Sequence, residues 1–170
     1  MSIKFAILTV SDRSSSGIRE DRSGPLLQQA VIDSGWEVKQ TDIVSDEFSE
    51  IVDKLQTWSD SGDINVILTT GGTGFSSRDV TPEATKTVLD RQAPGLAEAM
   101  RAGSLLITPH AMLSRSEAGI RKKTLIINLP GSPKGALENY RIVAPVLSHA
   151  VQLLEDDSGA EDTHQRPLAA

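Results

Sequence analysis

Three short apolar runs, each breaking off into a polar or glycine-rich turn, constrain the fold of this chain more than any other feature. Residues 3–10 (IKFAILTV) end in Ser11, Asp12 and Arg13. Residues 65–68 (NVIL) run into residues 69–74 (TTGGTG). Residues 124–129 (TLIINL) end in Pro130, Gly131, Ser132 and Pro133. Runs that are apolar throughout, rather than alternating, read as strands buried on both faces. Such strands need cover on both sides, and the intervening segments supply it. Leu26, Leu27, Ala30 and Val31 recur at helical spacing over residues 25–34, with Pro25 in the first turn and Gly35 at the end. Residues 36–44 (WEVKQTDIV) read as a second strand. Phe48, Ile51, Val52, Leu55 and Trp58 mark one face of a second helix.

Thr81, Pro82 and Glu83 open a further helix, with Thr81 as the expected cap. Another is expected over residues 95–104. A final one carries Leu137, Tyr140, Val143, Leu147, Ala150, Val151 and Leu154, and Pro145 inside it is expected to kink or split it. Strands alternating with helices predict an α/β fold: a mostly parallel sheet covered on both faces. With 170 residues the chain suits one domain, here residues 1–154. Residues 155–170 (EDDSGAEDTHQRPLAA) are acidic and aperiodic and read as a disordered tail.

Composition narrows function by exclusion. A net charge of −6 argues against nucleic acid as the main partner. With no cysteine, disulfides, thiolate metal sites and a cysteine nucleophile are ruled out. His110, His149 and His164 lack ligand spacing. No run reaches membrane-spanning length and no cleavage site follows the first strand, so a cytoplasmic protein with no membrane contact is expected.

In parallel sheets ligands bind beyond the carboxyl ends of the strands, so the strand-end loops carry the functional question. Thr70, Gly71, Gly72, Thr73 and Gly74 can wrap a phosphate or a polar ring, or can simply be a tight strand-to-helix turn; the two readings stand about equal. The turn is neither a Walker loop nor the dinucleotide fingerprint, because the lysine of the first and the third glycine of the second are missing. Arg78 beside Asp79 can hold phosphate and a metal together, or form a local ion pair. Asp46, one or two residues before a helix, reads first as its cap. Ser132 reads as a cap or as part of a rigid ligand loop with Gly131, Pro133 and Lys134. Ser114 and Arg115 are polar where the chain before them is apolar, and residues 121–123 form a basic, solvated cluster.

Taken together, ILTVSDR, TTGGTG followed by RDVTPEAT, MLSRSEAGIR and TLIINLPGSPKG resemble the molybdopterin-binding family that includes bacterial MogA and MoaB. The resemblance runs over about residues 3–154, and MLSR, AGIR and LPGSPK place it nearest the adenylyltransferase branch. It implies a three-layer α/β sandwich that forms a homotrimer. It implies transfer of AMP from ATP to the phosphate of molybdopterin, with release of pyrophosphate and a transient contact with the molybdenum insertase. The family's two essential aspartates fall on Asp46 and Asp79, implied to be catalytic and to hold magnesium. Its pterin-pocket serine falls on Ser114. Substrate contacts are implied for residues 70–74, Arg78, Arg115 and residues 131–134, and more weakly for Ser11, Asp12 and Arg13 on the nucleotide side. Arg78 and Lys134 are expected to neutralise phosphate charge. The resemblance overturns the capping preference for Asp46. The rival expectations are a non-catalytic pterin-binding module and a different nucleotide-dependent transferase.

Overall fold

A computed structural model describes residues 2–155. It contains β1 (Lys4–Val10), a short α1 (Asp12–Ser15), α2 (Ser23–Asp33), β2 (Glu37–Val44), α3 (Phe48–Asp60), β3 (Val66–Thr70) and α4 (Thr81–Val88). β4 (Arg91–Gln92), α5 (Pro94–Leu105), a 3-10 turn (Pro109–Leu113), β5 (Ala118–Arg121), β6 (Thr124–Leu129) and α6 (Pro133–Leu154) follow.

The sheet order is β2-β1-β3-β6-β5-β4. The first four strands are parallel, while β5 and β4 are antiparallel additions at one edge. Alternation along each central strand explains why the sequence runs look uniformly apolar. Phe5 and Ile7, Val66 and Leu68, and Leu125, Ile127 and Leu129 face one core with Leu27, Met100, Tyr140 and Leu147. Ala6 and Leu8, Ile67 and Ile126 face the other with Ile51, Leu55, Trp58 and Val88. Helices α2, α5 and α6 therefore cover one face, and α3 and α4 the other. This is the mostly parallel three-layer α/β sandwich that was expected.

Several local expectations change. β4 and β5 escaped notice, being two and four residues long. The helix expected to begin at Pro25 starts at Ser23, because Asp21 already accepts from the Ser23 and Gly24 amides at 3.0 Å. Thr81 does not cap α4. Its hydroxyl donates to the Gly71 carbonyl at 2.9 Å, and Val80 holds the cap position without a side-chain bond. α6 runs through Pro145 as one element, with Val143 and Leu147 buried on either side of it. Of the segment expected to be a disordered tail, only Glu155 is described. It follows α6 and accepts from Asn65 at 3.0 Å; residues 156–170 lie outside the described residues.

Register sets up the site. Val10 pairs with Val44, Thr9 with Thr70, and Thr70 with Leu129. Four parallel strands thus end in line, and their exit loops share one edge. The chain passes from β1 to one side and later returns to the other, so β1 and β3 flank the crevice where such sheets bind ligands.

Candidate functional site

The glycine turn after β3 is a folded partition. Gly71 and Gly72 adopt φ of 104° and 64°, in the left-handed region where side chains are strained. Space forbids side chains there too: a Cβ on Gly71 would lie 2.2 Å from the Val10 carbonyl oxygen, and one on Gly72 would lie 2.3 Å from Thr81 Oγ1. Thr70 Oγ1 donates to the Pro130 carbonyl at 2.7 Å, so the turns after β3 and β6 are tied together.

Two cavities lie against this partition. The larger, about 930 Å³, includes Thr70, Gly71, Gly72, Asp12, Asp46, Arg78, Asp79, Gly131, Ser132 and Pro133 in its wall. The smaller, about 280 Å³, is lined by Thr73, Gly74, Arg101, His110, Leu113, Ser114 and Ser132, among others. Ser132 belongs to both, and it also caps α6 by accepting from Gly135 N at 3.2 Å. Ser11 caps α1 by accepting from Ser14 N at 3.2 Å.

Asp46 is not a helix cap. Glu47 takes that position in α3, and the Asp46 carboxylate turns toward β1's exit loop. There Asp46 Oδ2 accepts from Asp12 N at 2.8 Å, while Asp12 Oδ1 accepts from Asp46 N at 2.9 Å. This reciprocal pair locks two strand-end loops together. Burial lifts the Asp46 carboxyl above the ordinary carboxylate range, and the negative charges of Asp12 and Asp79 push the same way. Asp12 moves oppositely, held low by hydrogen bonds from Arg78 and then from the Asp46 amide. Arg78 donates to Asp12 from Nε at 3.1 Å and from an η nitrogen at 3.0 Å, and its η nitrogen also meets Glu47 at 2.8 Å. Asp79 accepts from Ser76 N at 2.9 Å, with its carboxylate facing Gly74.

Arg115, expected to contact substrate, is engaged within the protein instead. Its Nε donates to the Gly74 carbonyl at 2.7 Å, one η nitrogen to the Asp79 carbonyl at 2.6 Å, and the other to Glu83. Its backbone N donates to the Thr73 carbonyl at 2.9 Å. All three guanidinium nitrogens are therefore occupied, and the residue ties Ser114's segment to both the glycine turn and Asp79. Lys134, expected to neutralise phosphate, is placed apart from the other candidates. It lies outside both cavity walls, 80% exposed, with its ammonium 3.8 Å from Glu138 one helical turn on. Arg101 was missed from sequence. Its Nη1 donates to the Ser116 carbonyl at 3.0 Å and to the Ser114 carbonyl at 3.5 Å, fixing the segment that carries Ser114. Nothing in the helical spacing of residues 95–104 distinguishes it from a solvated charge.

This geometry defines an α/β domain with two clefts at the switch point of its sheet, parted by a glycine turn. Residues 6–149 match the family model described as a probable molybdopterin binding domain. The chain belongs to this molybdopterin-binding family of molybdenum cofactor biosynthesis. It is 42% identical over 154 residues to the molybdopterin adenylyltransferase of Helicobacter pylori (strain J99), covering 89% of this chain and 88% of that one. It is 43% identical to the molybdenum cofactor synthesis protein cinnamon of Drosophila melanogaster, covering 92% of this chain but spanning only 26% of that protein. The solved structure of the molybdopterin biosynthesis enzyme MoaB from Thermus thermophilus superimposes with a TM-score of 0.86 at 46% identity, over 91% of this chain and 98% of that one.

Proposed function

We propose that this chain transfers an adenylyl group from ATP to the phosphate of molybdopterin, giving adenylylated molybdopterin and pyrophosphate. The observation that carries the reading is the pair of cavities meeting at the glycine turn and at Ser132. A reaction joining two large anionic substrates needs two compartments with a common wall at the point of transfer. The name of the Helicobacter pylori relative, similar over most of both chains, supports the same reading.

The smaller cavity, with Ser114 in its wall, takes the pterin. The larger takes the nucleotide. A phosphate oxygen of molybdopterin attacks the α-phosphorus, the bond from that phosphorus to its bridging oxygen breaks, and pyrophosphate leaves with the electron pair. The attacking oxygen is already anionic at neutral pH. The chain therefore has to align the two phosphates and stabilise charge, and no general base is required.

Asp46 and Asp79 suit a hard divalent cation. Both line the larger cleft, and Asp46 is partly desolvated and, among the described residues, accepts a single hydrogen bond and has no bonded cation. Among the described residues no cluster of three or more potential ligand side chains has metal-binding geometry. That fits magnesium, which takes one or two carboxylates and completes its shell with substrate phosphates and water. When bound there, magnesium would neutralise phosphate oxygens. Asp46's place is held by Asp12, Asp79's by Ser76 and Arg115. The assembly we propose is a homotrimer acting in the cytoplasm, with light scattering as the check on its size.

Incubation of the protein with molybdopterin and Mg-ATP, followed by mass spectrometry, tests the proposal. Adenylylated molybdopterin and one equivalent of pyrophosphate are expected. Tight pterin binding without product would leave a non-catalytic binding module, and nucleotide binding without pterin binding would leave a different transferase.

A further inference from the structure

We propose that Arg13, Arg19 and Arg22, on the segment between β1 and α2, form the cradle for the β- and γ-phosphates of the nucleotide, the pair that departs as pyrophosphate. The inference rests on the adenylyl-transfer reading and assigns that site its leaving-group subsite. Phosphoryl and adenylyl transfers rely on cations placed against the oxygens on which charge accumulates, and a departing pyrophosphate carries more charge than one divalent ion neutralises.

The cations of the larger cleft are Arg13, Arg19, Arg22 and Arg78. Arg78 is committed, bonded twice to Asp12 and once to Glu47. The other candidates fall away for the same kind of reason. Arg115 is engaged through all three guanidinium nitrogens, and Lys134 sits outside the cleft wall. What remains is one surface segment carrying three guanidinium groups, none with a side-chain partner nearer than 3.5 Å among the described residues. Arg13 has no side-chain partner among the described residues. Among the described residues Arg19 reaches only Ser11 Oγ, at 3.5 Å. Arg22 meets Glu20 at 3.9 Å, with both side chains close to 80% exposed (78% and 81%).

The segment is nevertheless held in shape. The Arg13 carbonyl accepts from the Ile18 amide at 2.9 Å and from the Arg19 amide at 3.0 Å, folding Arg19 back beside Arg13. Gly17, at φ 74°, permits the reversal. Asp21 anchors the far end: its Oδ2 accepts from Thr9 Oγ1 on β1 at 2.6 Å, and its Oδ1 takes the Ser23 and Gly24 amides at 3.0 Å. Alongside Glu20 and Asp21 in the same wall, three guanidinium groups on one braced loop offer paired donors to an incoming anion. They share a cleft with Asp46 and Asp79, so a metal-bound triphosphate would find carboxylates for its cation and guanidinium forks for its outer phosphates. Guanidinium suits that task through paired, charge-assisted hydrogen bonds.

Calorimetric titration of the full chain with Mg-ATP, AMP, Mg-pyrophosphate and molybdopterin separates this subsite from the rest of the site. Arg13→Gln and Arg19→Gln are each expected to weaken ATP and pyrophosphate about tenfold, the loss of one charge-assisted contact. The double variant should weaken them further, with AMP and molybdopterin unchanged and Arg19→Lys restoring part of the loss. Matching thermal midpoints would show that the variants are folded. Wild-type affinity for ATP and pyrophosphate in the double variant would overturn the cradle, as would an equal loss of AMP and ATP. A wild-type protein that binds neither ATP nor AMP would overturn the nucleotide reading of the whole cleft, which is a different result from binding that ignores the arginines.

Discussion

At the edge where the parallel strands begin, Asp60 receives Arg121 through Nε at 3.0 Å and through an η nitrogen at 2.8 Å, with Lys122 at 2.9 Å beside it. At the edge where they end, Asp46 takes one backbone amide and faces two further carboxylates. The first aspartate is held down at about 2 by its cations, while burial pushes the second up. Elsewhere on the first edge, Asn65 accepts from Lys4 N at 2.9 Å and donates to Glu155, and Thr124 donates to the Ile64 carbonyl at 2.7 Å. The same kinds of turn therefore serve two ends. At the first, Asp60 is answered by two cations of the same chain. The other leaves Asp46 beside further carboxylates in a cleft whose Arg78 is already bonded to Asp12 and Glu47, a cost to stability that makes sense only if something else fills it.

The largest expected break in this contrast comes from removing one unanswered carboxylate. Asp46→Asn and Asp79→Asn should each lower adenylylation by about 10²–10³-fold, the usual scale for losing one preorganised electrostatic contact, with molybdopterin affinity little changed. Asp46→Asn should also keep or raise the thermal midpoint, because a crowded, desolvated charge disappears. Turnover assays and thermal melts on the same samples check both halves. Normal turnover in both variants would sink the assigned roles.

Arg115 joins the two compartments, so Arg115→Met sharpens the comparison differently. A displacement of Asp79 and the glycine turn by about 1 Å is enough to cost about 10²-fold in kcat, while KM for each substrate moves less. A variant with intact kcat and only a lower melting point would reduce Arg115 to a structural tie.

Gly71→Ala tests the partition itself. The new methyl would meet the Val10 carbonyl oxygen at 2.2 Å on a backbone already at φ 104°. A loss of about 1–3 kcal/mol is expected from strain alone, read from urea unfolding. Gly35→Ala makes a useful contrast. That glycine also has positive φ, but nothing lies within 4 Å of its would-be Cβ, so only the backbone penalty should appear.

How much of this could be read from residues alone follows from how local each feature is. β6 appeared at its observed bounds because six consecutive buried residues with turn residues after them leave little choice. The glycine turn was visible, since three glycines in four residues after a strand mark a backbone no side chain tolerates. Local residues alone make Asp46 look like a cap, a preference only the family resemblance overturns, because capping statistics know only the helix that follows. Its observed amide partner, Asp12, lies 34 residues earlier. The Thr81 cap failed for the same reason, and the internal partners of Arg115 and Lys134 were equally out of sight. Each carries the right chemistry for its expected role, and only the packed fold decides whether a carbonyl, a helical neighbour or open cleft lies within reach. β4 and β5 have too few residues to show a period at all.

The smallest effect belongs to the answered edge, and its sign follows from Asp60. Its folded carboxyl lies at about 2, below the ordinary carboxylate value, so near-neutral unfolded chains bind this proton more readily than the native state does as the solution turns acidic. The stabilisation is complete above the unfolded value near about 4 and drains away as pH falls through about 2. Asp60→Asn should therefore lower the melting point slightly at pH 6 and leave it equal to wild type near pH 1. The difference should shrink with added salt, as expected of exposed pairs. Melting curves from pH 1 to 6 in low and high salt check this. A difference that survives at the acid end would mean the pair's value lies in packing around Arg121, whose Nη1 also donates to the Val88 carbonyl at 3.1 Å, rather than in charge.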